Sequence, residues 1–213
     1  MNRNEKFVIT IHRELGSGGT TVGRLLAERL GVAFYDKVLV KALEERFHRT
    51  ADEIESMKGE KRDWWSDVKR FMNVGPGRGT EYYLPGPGAA AGLLDTQEIF
   101  DTESQMLQDI AAKESCVMTG RSGFHVFRDH PNHLSILIQA SMPFRVERVM
   151  RKQHMSEDEA RKTIERVDKM HENYVKAFTK TSRHDTRNYQ LVISADGKTE
   201  EQMADLIMQY IED

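Results

Sequence analysis

Cysteine is almost absent here: Cys116 is the only one in 213 residues, which excludes an intrachain disulfide and makes a reducing cytosol the natural setting. It lies in an apolar run and reads as buried filler rather than as a nucleophile. No apolar stretch reaches membrane-spanning length, and the opening Met-Asn-Arg-Asn-Glu-Lys lacks the apolar segment of a secretory leader. A cytoplasmic protein away from membranes is therefore expected. The formal net charge is only −3, which argues against a general nucleic-acid binder. Eight histidines form no zinc-type cluster with a cysteine, so no structural metal is expected. Internal repeats are missing too, and only 73–92, with six glycines and three prolines, approaches low complexity and reads as a mobile loop.

What remains is a chain of one α/β-sized domain, with an insert over about 37–95. Its charge is uneven: 143–190 holds 12 Lys/Arg against 8 Asp/Glu, so the rest carries −7. A locally basic segment in an acidic protein suits an anionic small ligand; the alternative is a solvated helix face laced with ion pairs.

The most informative stretch is Phe7 to Val22. Five residues rich in β-formers lead into Gly16-Ser17-Gly18-Gly19, then a helical pattern of Val22, Leu25, Leu26 and Leu30 stopped by Gly31. Strand, glycine turn and helix together hold phosphate, because backbone N–H groups converge on the anion and the helix N-terminus adds positive charge. Thr20 and Thr21 fall in the first turn, where a hydroxyl can ligate Mg²⁺ or cap the helix. The P-loop pattern ends Gly-Lys-Ser/Thr, and here Gly19 stands where the lysine belongs and Arg13 where the first glycine belongs. Two other readings stay open at this point. One is a ligand-free βα turn; the other is a dinucleotide fingerprint, for which Asp36 lies at a suitable distance but Thr21 replaces the third glycine.

Further along, strands are expected at 32–35, 116–119, 134–138 and 191–194, separated by helices. Helix starts are marked by Thr50-Ala-Asp-Glu53, Asp95-Thr-Gln-Glu98, Ser141 before Pro143, Ser156-Glu-Asp-Glu159 and Thr199-Glu-Glu-Gln202. Alternation of this kind gives a parallel sheet covered on both faces, with ligands beyond the strands' carboxyl ends. The Gly16 loop, Asp36, Arg121 and the Ala195-Asp196-Gly197 turn then share one rim. Arg121 leaves a strand end, where a planar guanidinium can grip phosphate, and Arg145, Arg148 and Arg151 follow on one helix. Trp64 and Trp65 either pack the insert or stack on a base, and His12 reads as a packing residue rather than a base.

These motifs carry a resemblance. His12-Arg-Glu-Leu-Gly-Ser-Gly-Gly19, Phe34-Tyr-Asp-Lys37, Thr119-Gly-Arg121, the arginine helix, Asp168 to Tyr174 and Asn188-Tyr-Gln-Leu191 together resemble the cytidylate kinase-like family, whose loop normally lacks the lysine. The resemblance implies a three-layer α/β/α P-loop NTPase fold with a five-stranded parallel sheet and a helical lid over about 143–180. It implies an ATP-dependent phosphotransferase of the nucleoside monophosphate kinase type, acting on CMP or a related phosphate-bearing acceptor. ATP phosphates would sit on Gly16, Ser17, Gly18, Gly19, Thr20 and Thr21, with Mg²⁺ at Thr20. The acceptor would lie across Asp36, Arg121 and Asp168. Arg13, Arg148 and Arg151 are the candidate catalytic cations, Arg13 restoring the missing lysine's charge unless it pairs with Glu14 or a lid acid. For the other two the alternative is surface charge, and for Asp168 a helix ion pair. Ser122 and His171 stand where cytidylate kinases have Asp and Arg, which favours an acceptor other than CMP or a nucleotide sensor of the same fold. A homodimer is left open.

Overall fold

β1, Val8–Arg13, forms the centre of a five-stranded, wholly parallel sheet with strand order β2-β3-β1-β4-β5. The others are β2 (Ala33–Tyr35), β3 (Cys116–Thr119), β4 (His133–Gln139) and β5 (Leu191–Ser194). This computed structural model describes residues 1–36, 97–120 and 122–212. The chain divides into two units, Met1–Asp36 with Leu84–Asp213, and Lys37–Tyr83. The helix expected from Lys37, the capping signals at 50–53 and 95–98, the tryptophans, the 73–92 loop and Arg121 lie outside the described residues.

Six α-helices flank the described strands: α1 (Gly19–Leu30), α2 (Gln97–Lys113), α3 (Gly123–Val126), α4 (Met142–Gln153), α5 (Glu157–Thr179) and α6 (Glu200–Glu212). A 3-10 turn spans Thr186–Asn188. The expected five strands are all present, and the three central ones, β1, β3 and β4, are buried on both faces as in other parallel sheets. Val8, Ile9 and Ile11 have no exposed surface, and Ile9 and Ile11 pack with Val22 and Leu26 of α1 and Met203, Ile207 and Ile211 of α6. Cys116 belongs to this buried interior, and burial pushes its thiol up to about 12. The opposite face of the sheet carries Phe124, Leu137, Val175 and Tyr189.

Helix ends follow their sequence signals in most cases. Gly31 closes α1 in a left-handed conformation, Ser156 and Glu159 complete a reciprocal capping box on α5, and Thr199 and Gln202 exchange the same pair of bonds at α6. Ser141 differs. It occupies the N-cap position of α4 but makes no cap bond; its amide and hydroxyl bind Asp196 instead, at 2.9 Å from the amide. The β5–α6 turn is thereby tied to the start of α4.

β1 runs two residues past the expected Ile11, because the longer β4 keeps pairing with it: His12 lies opposite Leu137 and Arg13 opposite Ile138. β3 stops at Thr119, opposite Ile11. The sheet thus opens beside the last two residues of β1, at the point where strand order reverses, which is where such folds bind ligands.

Candidate functional site

The loop from Glu14 to Gly18 lies at that opening. Gly16 and Gly18 adopt φ of 87° and 84°, a region that disfavours side chains, and Gly18 is the N-cap of α1. Space is as restrictive as torsion. A Cβ on Gly16 would meet the Arg145 carbonyl oxygen at 2.8 Å, and one on Gly19 would meet the Cβ of Arg13 at 2.5 Å. Ser17 is fully buried, its amide and hydroxyl both donating to the Glu14 carbonyl at 3.2 and 2.9 Å.

Arg13 crosses this loop. Its Nε donates to Thr20 Oγ1 at 3.2 Å, and its guanidinium lies so close to Gly120 that a Cβ there would meet Nη1 at 2.6 Å. A lysine at position 19 would have to occupy space that Arg13 fills. Thr20 is buried in the first turn of α1 beside the loop, and Thr21 is half-buried. Thr20 Oγ1, which accepts from Arg13, is a hydroxyl that could meet Mg²⁺, an ion commonly held by few protein oxygens together with substrate phosphates and water. Among the described residues no group of three His, Cys, Asp or Glu side chains converges.

The arginines of α4 separate into distinct environments. Arg148 is buried, ion-paired with Glu200 of α6, and its guanidinium carbon lies 3.4 Å from where a Cβ of Gly18 would be. Arg145 is also buried and donates to the Leu15 carbonyl at 2.7 Å and to Asp168 at 2.6 Å. Arg151 is exposed on α4. Asp36 is buried directly after β2, on the same rim. Arg121 lies outside the described residues, although Gly120 before it sits at this rim with φ 83°.

Two neighbours of the loop were not singled out from sequence as site residues. Arg183, after α5, has no exposed surface and donates to the Arg13 carbonyl at 3.1 Å. Burial lowers its pKa, against the attraction of Asp168 and Glu14. Glu14 accepts from the Ala140 amide at 3.0 Å and lies 3.6 Å from Arg145. Glu14 lies inside the His12–Gly19 motif, where the sequence marks it only as a possible partner of Arg13, and Arg183 stands in no motif. His12 is buried between Phe124 and Tyr189, and burial, with Arg183 and Arg13 nearby, holds its pKa well below the usual value. It is neutral and packed, as its place on the strand suggested.

The sequence profile of the cytidylate kinase-like family matches residues 8–196. The chain belongs to the cytidylate kinase-like family. No curated protein sequence matches it significantly. Among solved structures it is similar to an uncharacterized protein from Eubacterium ventriosum, with TM-score 0.70 and 22% identity over 97% of this chain and 99% of that one. It is also similar to shikimate kinase from Bacteroides thetaiotaomicron, with TM-score 0.50 and 17% identity over 97% and 99% of the two chains. At these identities the likeness is one of fold: α/β, with a five-stranded parallel sheet, of the P-loop kinase type. Among the described residues no helix is long and apolar enough to cross a membrane.

Proposed function

We propose that this chain is an ATP-dependent phosphotransferase of the nucleoside monophosphate kinase type, working in the cytoplasm on CMP or a related small phosphate-bearing acceptor. The observation that carries the reading is Arg13 lying across Gly19 to Thr20, a fixed cation where the P-loop pattern has lysine. Backbone amides from Gly16 to Thr21 and the α1 N-terminus would hold the ATP phosphates. Thr20 would supply the protein ligand to Mg²⁺, whose charge offsets that of the phosphates. Arg13 faces the same place from the strand side, and Arg148 and Arg151 on the α4 lid are the further cations for the transferring group. Asp36 and Arg121 would meet the acceptor. An anionic phosphate oxygen of the acceptor bonds to the γ-phosphorus while the bridging β–γ P–O bond breaks, and ADP leaves. That nucleophile carries no proton, so no general base is required, and positioning plus charge neutralisation suffices.

Three features favour a second reading, a nucleotide sensor with little transfer activity. Arg148 is already committed to Glu200, and Ser122 and His171 depart from the acceptor pattern of cytidylate kinases. ADP release from Mg-ATP, measured against a panel of nucleoside monophosphates and small phosphorylated metabolites, separates the two. Turnover with one acceptor establishes the kinase and its substrate; ATP binding without turnover on any acceptor supports the sensor.

A further inference from the structure

Three successive carbonyls at the start of the phosphate loop are each held by a different donor. The Arg13 carbonyl accepts from Arg183 Nη2 at 3.1 Å, the Glu14 carbonyl from Ser17, and the Leu15 carbonyl from Arg145 Nε at 2.7 Å. The two arginines come from separate parts of the chain, one on α4 and one beyond α5, and both are almost wholly buried, at 4% and 0% exposed. Two carboxylates lie near both, and Asp168 is the one on α5. Asp168 of α5 accepts from Arg145 Nη2 at 2.6 Å through Oδ2, and its Oδ1 lies 3.7 Å from Arg183 Nη1.

We propose that Asp168, Arg145 and Arg183 form a clamp that sets the start of the phosphate loop, with Asp168 a positioning residue for Arg13 and the loop amides rather than a ligand of the acceptor. The inference rests on reading the loop as the ATP-phosphate site. A peptide unit is planar, with its carbonyl and the following N–H directed oppositely. Holding the Leu15 carbonyl therefore orients the Gly16 amide, and holding the Arg13 carbonyl orients the Glu14 amide onto Ile138, where it donates at 3.1 Å. The Cα of Arg13, from which its guanidinium is launched across Gly19, is fixed at the same time. Two buried guanidinium groups need anions, because an uncompensated buried charge is strongly destabilising. Asp168 supplies one oxygen to each, and Glu14, 3.6 Å from Arg145, adds a second carboxylate. Oδ1 of Asp168 has no solvent-exposed surface and lies 3.7 Å from Arg183 Nη1. Asp168, and Glu172 through the Arg183 amide at 3.2 Å, thereby connect α5 to the start of the loop.

The test compares the full-length wild type with Asp168→Asn and with Asp168→Asn/Arg183→Met. The double variant removes one charge of each sign and so guards against simple misfolding. Backbone amide exchange over residues 14–19, Mg-ATP titration calorimetry and steady-state kinetics are read together. In both variants exchange over 14–19 should accelerate while that of β1 and α1 core amides holds. Mg-ATP affinity and kcat should each fall ~10-fold or more, since small misplacements of positioned groups cost that much, and the acceptor KM should stay within about twofold. A large rise in acceptor KM, with loop exchange and ATP affinity unchanged, makes Asp168 an acceptor ligand and overturns the clamp. If wild type transfers phosphate to no acceptor, the phosphotransferase reading falls on its own. Loop exchange and ATP affinity still decide the clamp, and unchanged values in Asp168→Asn overturn it.

Discussion

The two faces of β1 are built from different chemistry. Ile9 and Ile11 point to an apolar interior shared with α1 and α6. Thr10 and His12, one residue out of phase, point to the other face. There Thr10 bonds His133 at 2.7 Å, and His12 lies among Phe124, Tyr189 and the charge of Arg183. Alternation along a strand lets six residues serve both, because successive side chains leave a sheet on opposite sides. The apolar face supplies stability through area removed from water, worth about 1.5–3 kcal/mol per large side chain. The other face carries His12 beside Arg183, whose guanidinium holds the Arg13 carbonyl. The two should fail independently.

Arg13 shares the phase of Ile9 and Ile11 but stands past the packed interior, against Gly19 and Gly120 at the loop. Arg13→Ala therefore tests whether the loop end can be altered without loss of the core. Removing the cation proposed to stand in for lysine should lower turnover ~10³-fold, or about 4 kcal/mol of transition-state stabilisation, with little change in Tm. Unchanged turnover would end the role given to Arg13. Within the core on the same side, Ile207→Ala, in the α6 layer and wholly buried, should cost about 2–5 kcal/mol in chemical denaturation while the Mg-ATP Kd holds. A shift in Kd comparable to the loss of stability would show that the core and the loop are coupled.

Acid should act through the polar face. The pKa of His12 is held well below its usual 6.5, mainly by burial, and that of His133 is lowered to about 4. Both bind their proton more readily in the unfolded chain, so their contribution is complete above pH 6.5 and is lost as pH falls below it. For His133 the loss continues to about pH 4. Each group can contribute a slope of up to ~1.4 kcal/mol per pH unit. His12→Gln should flatten part of this acid limb in urea titrations at stepped pH, and an identical limb would remove His12 from the account. The smallest effect is expected far from both faces. Ser156→Ala breaks the capping box of α5 and should cost about 1 kcal/mol. Urea titration of that variant checks it, and ATP affinity should not move.

Much of the fold was legible because it depends on local pattern. Each strand was a β-rich run and most gaps held a helical period, although the one-turn α3 between β3 and β4 had no such signal. Gly31, Ser156 and Thr199 marked helix ends by chemistry within four residues. The glycine loop was legible for the same reason, together with its missing lysine. What sequence alone determined was therefore the order of elements, the parallel sheet, the rim that carries the loop, and a resemblance spread along the chain. Only the tertiary structure decided which arginine does what. Arg145, Arg148 and Arg151 look alike at spacing three, yet packing sends one to Asp168, one to Glu200 and one to solvent. Arg183 stands in no motif at all, and its partner carbonyl is 170 residues away. A guanidinium's role is set by the anions and carbonyls that burial brings within 3–4 Å of it, and those distances come from folding rather than from neighbours along the chain.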